Sequence, residues 1–443
     1  MNWPSIVRAL LGGSALLGGS AGLAQPPAAT IAAETGAPTA QDDATAKIER
    51  LTAQVEALQT QLDAVKASLA RETPSWKGAP LFEDKSAGFS FKPKGLIQFD
   101  AGYVGFPQGQ QLSGTAGGLN YNNLGFNTRA RRLVIGGEGT LPGGFGYNVE
   151  FNFAQGSIDY EDIVLTYQRN NSPLRVTIGT FYPLSSLETL TSSRLTSFLE
   201  RASFTDAFNY NRRLGVSLGL LDPKNDRYTL TAGIFSQPIN DAAFNRTGWE
   251  AGVRGTFSPK IGAAQLHLGV SYHHRVNNRD AQGTQYRARP LLQTTDQRFV
   301  DTGTIAADGD DSAGVEFGAI FRSLHLAAEA QKLWVRGYRP SDVVTGPNNA
   351  SIGTRYNGDP SFTGGYAELG YYLTGETRGY KGGRWDRTKV LHPFDKGGWG
   401  AVQINGRLDY VDLRDRVSGA AIAAPDYVNG GRQLGYQLDL VWN

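Results

Sequence analysis

Cysteine is missing from all 443 residues, and methionine occurs once. Disulfides and thiol chemistry are therefore excluded. A strong charge of either sign is missing as well: 43 Lys and Arg stand against 41 Asp and Glu, a net +2. The chain as a whole does not attract polyanions, so no nucleic-acid partner is expected, and any charge preference must come from placement. Beyond the first 24 residues, no apolar run reaches the roughly 18 residues that a membrane helix needs. That lack does not exclude a membrane barrel, because each of its strands shows lipid only alternate residues.

What is present is glycine, at 56 residues, and aromatic side chains, at 11%. Residues 1–24 read as a secretory signal: Arg8, a glycine-softened apolar stretch from Ala9 to Leu23, and a small-x-small site at Gly22-Leu23-Ala24. A retained anchor is the alternative, disfavoured by the glycine content and by Pro26-Pro27. Residues 25–43 are rich in Ala, Pro and Thr and free of aromatics, the composition of a disordered linker. Over residues 44–72, Ile48, Leu51, Val55, Leu58, Leu62, Val65 and Leu69 alternate spacings of three and four. This is the seam of a short coiled coil, with a single helix on a barrel rim as the alternative. Residues 73–94 form a Pro/Gly/Trp linker, and residues 95–443 carry the strands.

Period-two alternation dominates that last region. Tyr147, Val149, Phe151 and Phe153 alternate with Asn148, Glu150 and Asn152. Leu266, Leu268, Val270 and Tyr272 alternate with Gln265, His267 and Ser271. One face is broadly apolar; the other mixes both charge signs with glycine, which suits a lipid-facing exterior and a wet lumen. Tyr103, Tyr167, Tyr182, Tyr272 and Trp442 are the expected interfacial aromatics. Connection lengths form a second pattern. Short turns at Leu141–Gly144, Asn170–Pro173, Leu221–Asp226 and Ser258–Gly262 alternate with long loops at Phe106–Gly125, Pro183–Arg212, Val276–Asp311 and Gly337–Ser361. Gly375–Lys396 alone is long on the short-turn side, and it reads as a basic mouth or a solvated loop. The expected fold is all-β, a transmembrane antiparallel β-barrel behind a short N-terminal coiled-coil helix. Fourteen strands can be marked from Phe89 to Trp442; the complete barrel is expected to have about 16, with the last hairpin absent from this chain.

The stretch Pro183–Ala202, with two arginines and many hydroxyls, is the segment expected to fold inward and narrow the lumen. Several ordered pieces resemble the phosphate-selective porins O and P. They include Arg129-Ala130-Arg131-Arg132 leading to Gly137-Glu138-Gly139-Thr140-Leu141, and Ile178-Gly179-Thr180-Phe181 ahead of Leu187-Glu188-Thr189-Leu190-Thr191-Ser192-Ser193-Arg194. Phe198-Leu199-Glu200-Arg201-Ala202, Gly397-Gly398-Trp399-Gly400-Ala401 and Gly430-Gly431-Arg432-Gln433 follow. The resemblance runs from about Lys94 to the end. It implies a homotrimer of 16-stranded outer-membrane barrels, an infolded third loop, and passage of anions, phosphate or polyphosphate among them.

A pore for phosphate needs several modest sites, because a bound anion must also leave. Arginine suits this, since its planar fork pairs two oxyanion oxygens. Ser192, Ser193, Arg194 and Arg201 lie on the inner-loop stretch, and parity puts Arg132, Arg175 and Arg254 on polar faces. Arg129 and Arg131 have the opposite parity, which calls for a strand end or a bulge. These nine residues are the expected anion path. The competing reading is that such arginines pair with Glu138, Glu150, Asp162, Glu250 and Glu316, which share the polar faces. No cofactor or metal is expected: Gly215-Val216-Ser217-Leu218-Gly219 lies mid-strand, not at a nucleophile elbow, and His273-His274 point to opposite faces. The reading is therefore a porin and not an enzyme, with inorganic phosphate or other small anions and outer-membrane lipid as partners. The alternatives are a weakly selective general porin, or an envelope tether whose periplasmic coiled coil contacts the cell wall.

Overall fold

The computed structural model describes residues 40–72, 75–76, 79–105, 124–236, 248–277, 283–338, 353–419 and 424–443. The expected signal segment, and most of the loops after Phe106 and Gly337, lie outside the described residues. The chain divides into two units, Met1–Leu69 and Ala70–Asn443. The described part of the first belongs to one helix, Ala40–Glu72, which ends three residues past that boundary. Its seam residues Ile48, Leu51, Val55, Leu58 and Leu62 are all exposed; the side chains of Val65 and Leu69 lie outside the described ones. No helix among the described residues is long and apolar enough to cross a membrane.

The second unit is a meander of fourteen long strands: β1 Phe89–Val104, β2 Gly125–Leu141, β3 Phe145–Asn152, β4 Asp159–Tyr167, β5 Leu174–Phe181, β6 Arg213–Leu221 and β7 Tyr228–Phe235, then β8 Trp249–Phe257, β9 Ala264–Val276, β10 Ala307–Phe321, β11 Leu324–Gly337, β12 Ser361–Tyr372, β13 Val402–Arg416 and β14 Tyr427–Trp442. Each pairs antiparallel with the next. Three short pieces, Ser75–Trp76, Pro80–Asp84 and Lys260–Ile261, bring the sheet to 17 strands. No ladder joins β14 to β1 among the described residues. The sheet begins earlier than the linker expected over 73–94: Pro80–Asp84 pairs with the start of β1 through Phe82↔Phe91. Prolines disguised this stretch. Pro93 is tolerated in β1 because an edge strand need not donate on its free side.

Alternation decides which face is buried, and it does so in the reverse of the soluble order. On β9, Val270 is 60% exposed, while its neighbours Ser271 and His273 are 6% and 2% exposed. Glu250, Arg254, Glu316, Glu329, Glu368, Arg407 and Asp409 are likewise buried, and Val253, Val315, Phe317 and Leu408 are exposed. An apolar exterior of this extent needs a surrounding other than water. The sheet also curves around its contents. In a flat sheet, β2 and β13 would lie about 50 Å apart at ~4.8 Å per strand. Yet Arg131 of β2 and Arg407 of β13 both bind Glu200 of one loop.

Turn chemistry follows the sides. Between β2 and β3 the chain reverses through Gly143 and Gly144, at φ of 86° and 92°, which favours glycine. At the β6–β7 turn, Asp222 accepts backbone N–H bonds from Lys224 and Asn225, a side-chain substitute for a longer turn. On the long side, the third connection, residues 182–212, turns inward. The expected girdle residue Tyr182 belongs to it: its ring lies under the Arg212 and Arg201 guanidiniums and not at the membrane interface. Tyr103, Tyr167, Tyr272 and Trp442 are exposed.

Candidate anion passage

The third loop is fastened to the far wall by carboxylates. Ser186 caps its first helix, Leu187–Leu190, by accepting the Thr189 N–H at 3.0 Å. Glu329 of β11 takes the Leu187 and Glu188 N–H groups at 3.1 and 2.8 Å and the Tyr366 hydroxyl at 2.8 Å. Arg407 of β13 bonds Glu188 and Glu368. Ser197 donates to Glu368 at 3.0 Å, and the Ser203 N–H donates to Asp409 at 2.9 Å. Leu187, Phe204 and Phe208 are fully buried, packed with Phe362, Tyr366 and Val411 in the interior. The loop thereby occupies the β9–β13 side of the interior.

On the other side, between the loop and β1–β8, lies a cavity of about 560 Å³. Arg132, Arg175, Ser192, Ser193, Arg194, Arg201 and Arg254 line it; Arg129 and Arg131 do not. The parity conflict at those two residues has a structural cause. Gln98 pairs with Arg132 and Phe99 with Ala130, so Arg131 is the extra residue of a bulge. The bulge turns Arg129, Arg131 and Arg132 to the same inner face. Arg131 there meets Glu200 at 3.1 Å, and Arg129 meets Gln155, the Gln293 carbonyl and Asp296 of the fifth long loop, residues 277–306.

Pairing separates the remaining cations. Arg254 is held by Glu316 through two bonds of 2.8 and 2.6 Å. Arg194 meets Glu150 at 2.9 Å. Arg132 bonds only the neutral Gln98 among the described residues, at 2.6 Å, and Arg175 only Gln168, at 2.9 Å. Arg201 donates to the Glu188 and Thr191 carbonyls at 3.0 and 2.8 Å and has no carboxylate partner among the described residues. Three lining cations fall outside the nine expected: Lys94, Arg212 and Arg384. Lys94 shares the alternation of Gln98 and Asp100 but stood in the presumed linker. Arg212 closes the loop and pairs with Glu161 and Asp162. Burial alone would raise the Tyr182 phenol; Arg212 and Arg201 outweigh it and hold the phenol below its ordinary range.

The connection 373–401, read from sequence as a solvated loop or basic mouth, also enters the interior. Its hairpin, Gly379–Lys381 with Arg384–Asp386, buries Trp385 to 3% exposure. The Trp385 N–H donates to Thr191 of the third loop at 3.3 Å, and Tyr380 pairs with His267 at 2.7 Å. Composition concealed this, because the basic residues outnumber the two aromatics that anchor the turn.

Asp296 is expected to act as a pH-sensitive tie between the fifth long loop and β2. The hydrogen bond from Arg129, with help from Arg289, holds its carboxyl below the usual range. A depressed folded-state pKa contributes holding energy at neutral pH, and this is lost as the pH falls through the depressed value. Hydrogen exchange over residues 290–298, corrected for intrinsic rates, is expected to accelerate in acid. Asp296→Asn should give that acceleration already at neutral pH; exchange insensitive to both changes would contradict the tie.

A family model described as phosphate-selective porin O and P matches residues 109–442. An uncharacterized protein of Caulobacter vibrioides is 37% identical over 379 residues, covering 83% of this chain and 68% of that one. Porin O of Pseudomonas aeruginosa is 26% identical over 344 residues, 74% of each chain. Among solved structures, the outer membrane channel DcaP of Acinetobacter baumannii matches 81% of this chain and 97% of its own, at 12% identity and a TM-score of 0.37. OmpT of Vibrio cholerae covers 80% and 98%, at 8% identity and a TM-score of 0.34.

Proposed function

Because the chain belongs to the phosphate-selective porin O and P family, we propose that it is an outer-membrane channel for small anions, phosphate or polyphosphate among them, narrowed by its third loop. The observation that carries this is that three of the expected path cations, Arg132, Arg175 and Arg201, line the cavity without a carboxylate partner among the described residues, beside the Ser192 and Ser193 hydroxyls. Guanidinium forks and hydroxyls can replace part of an oxyanion's water shell without trapping it. Short turns would face the periplasm and long loops the exterior. The exposed seam of the N-terminal helix supports self-association into the family's homotrimer, and cell-wall contact is the other use of that surface.

A weakly selective porin is the second reading, favoured by Glu138, Glu150, Glu161, Asp162 and Asp386 on the same cavity. Reversal potentials of single channels under a salt gradient, with phosphate then added as blocker, separate the two. The anion reading expects anion preference and phosphate block, with block about tenfold weaker in Arg132→Gln, the worth of one charge-assisted hydrogen bond. Cation-preferring current untouched by phosphate would reject it.

A further inference from the structure

The connections on the short-turn side have six residues or fewer, apart from 373–401. That segment does not cap the mouth; it is pinned within the lumen from several directions. Trp385 sits against Tyr380 at 5.8 Å and against His325 at 6.5 Å, with Arg378 over its ring. Arg254, already paired with Glu316, donates a further bond to the Gly383 carbonyl at 2.8 Å. Burying Trp385 leaves the adjacent Arg384 on the opposite side of its short strand. There Arg384 is exposed to the cavity, with one long bond of 3.4 Å to the Leu190 carbonyl.

Arg175 of β5, next to the β4–β5 turn, lines the same cavity, and Gly383, the neighbour of Arg384, lies against the Thr229 hydroxyl of that wall. Neither arginine has a carboxylate partner among the described residues, although Asp386 lines the cavity and Asp226 lies within electrostatic reach of Arg175. Two guanidiniums facing one wet space repel each other unless an anion lies between them. The hydroxyls of Thr177, Thr229 and Thr231 line the same wall and can complete an oxyanion's shell.

We propose that Arg384 and Arg175 form a second anion-binding station at the short-turn end of the same cavity, beyond Ser192 and Ser193, for oxyanions carrying two or more charges. It rests on the reading that this lumen conducts anions. Two stations in series allow an anion held at one to be displaced by the next arriving at the other, which keeps both weak enough for release.

The test uses the full-length protein in planar bilayers of known insertion direction, with pyrophosphate added from one side at a time. Arg384→Gln is expected to raise the half-blocking concentration from the short-turn side about tenfold, with the long-loop side changed less than twofold. Arg384→Lys should recover part of the loss, because charge remains while the fork is gone. Since Arg384 is exposed, unaltered heat-modifiable gel mobility is expected and serves as the folding control. Block from the short-turn side that is unchanged in Arg384→Gln, in a channel that still prefers anions, overturns this station alone. A wild-type channel without anion preference overturns the reading beneath it and the station together.

Discussion

Replacing Arg407 with Ala is expected to free the third loop and to make the single-channel conductance larger and noisier than that of the wild type. Arg407 is 4% exposed. It bonds both Glu188 and Glu368, donates to the Glu200 carbonyl at 3.3 Å, and lies over the Phe198 and Tyr366 rings at 4.2 and 4.7 Å. Glu188 belongs to the loop and Glu368 to the wall, so this one cation joins the two. Removing it leaves two buried carboxylates facing each other, a loss of about 3–5 kcal/mol. The wall is held by its own ladder of hydrogen bonds; the loop is not. Relief therefore comes by expelling the loop segment that carries Glu188. A larger, fluctuating single-channel step and a lower melting temperature are the expected readouts. Arg407→Lys should rescue little, since one ammonium cannot reproduce the fork that reaches both carboxylates. Wild-type conductance with wild-type stability in Arg407→Ala would show that the loop is held by its apolar contacts and its bonds to Glu329, Glu368 and Asp409 without this cation.

The second large effect is expected from Trp385→Ala. Deleting a buried Trp typically costs about 3–5 kcal/mol, and here the loss falls on a short hairpin whose remaining ties are single hydrogen bonds. The hairpin should leave the lumen while the strands stay paired. Conductance should rise, and the arginines and lysines at positions 378, 381, 384 and 387 should become cleavable by trypsin from the short-turn side. Intact channels with unaltered conductance and full trypsin resistance would mean that the Arg254 and Tyr380 bonds hold the hairpin without the indole. The two variants differ in symmetry. Loss of Arg407 acts through the loop that enters from the long side, and loss of Trp385 acts through the segment that enters from the other end.

Much of the wall was legible residue by residue. A strand's period of two is a local property, and Leu268, Val270 and Tyr272 against His267, Ser271 and His273 needed no partner to be assigned to faces. The conflict in parity at Arg129 and Arg131 was also visible, but its resolution was not. A bulge is a relation between two strands, and the Gln98–Arg132 register places it. The nine expected path residues divide in the same way. Residue type and face marked Arg132, Arg175 and Arg254 alike as inward arginines. Their difference lies in Glu316, which is 62 residues from Arg254 in the chain and neutralises it, whereas among the described residues Arg132 and Arg175 bond only glutamines.

By itself, then, the amino-acid sequence determined the inverted alternation, the order of short and long connections, and the family. Each of these is written in neighbouring residues or in short motifs. Tertiary structure alone decided which lining charges have no carboxylate partner among the described residues, and that the basic connection 373–401 lies in the interior. Coulomb energy depends on the distances to whatever the fold brings near, and those neighbours come from strands tens to hundreds of residues away.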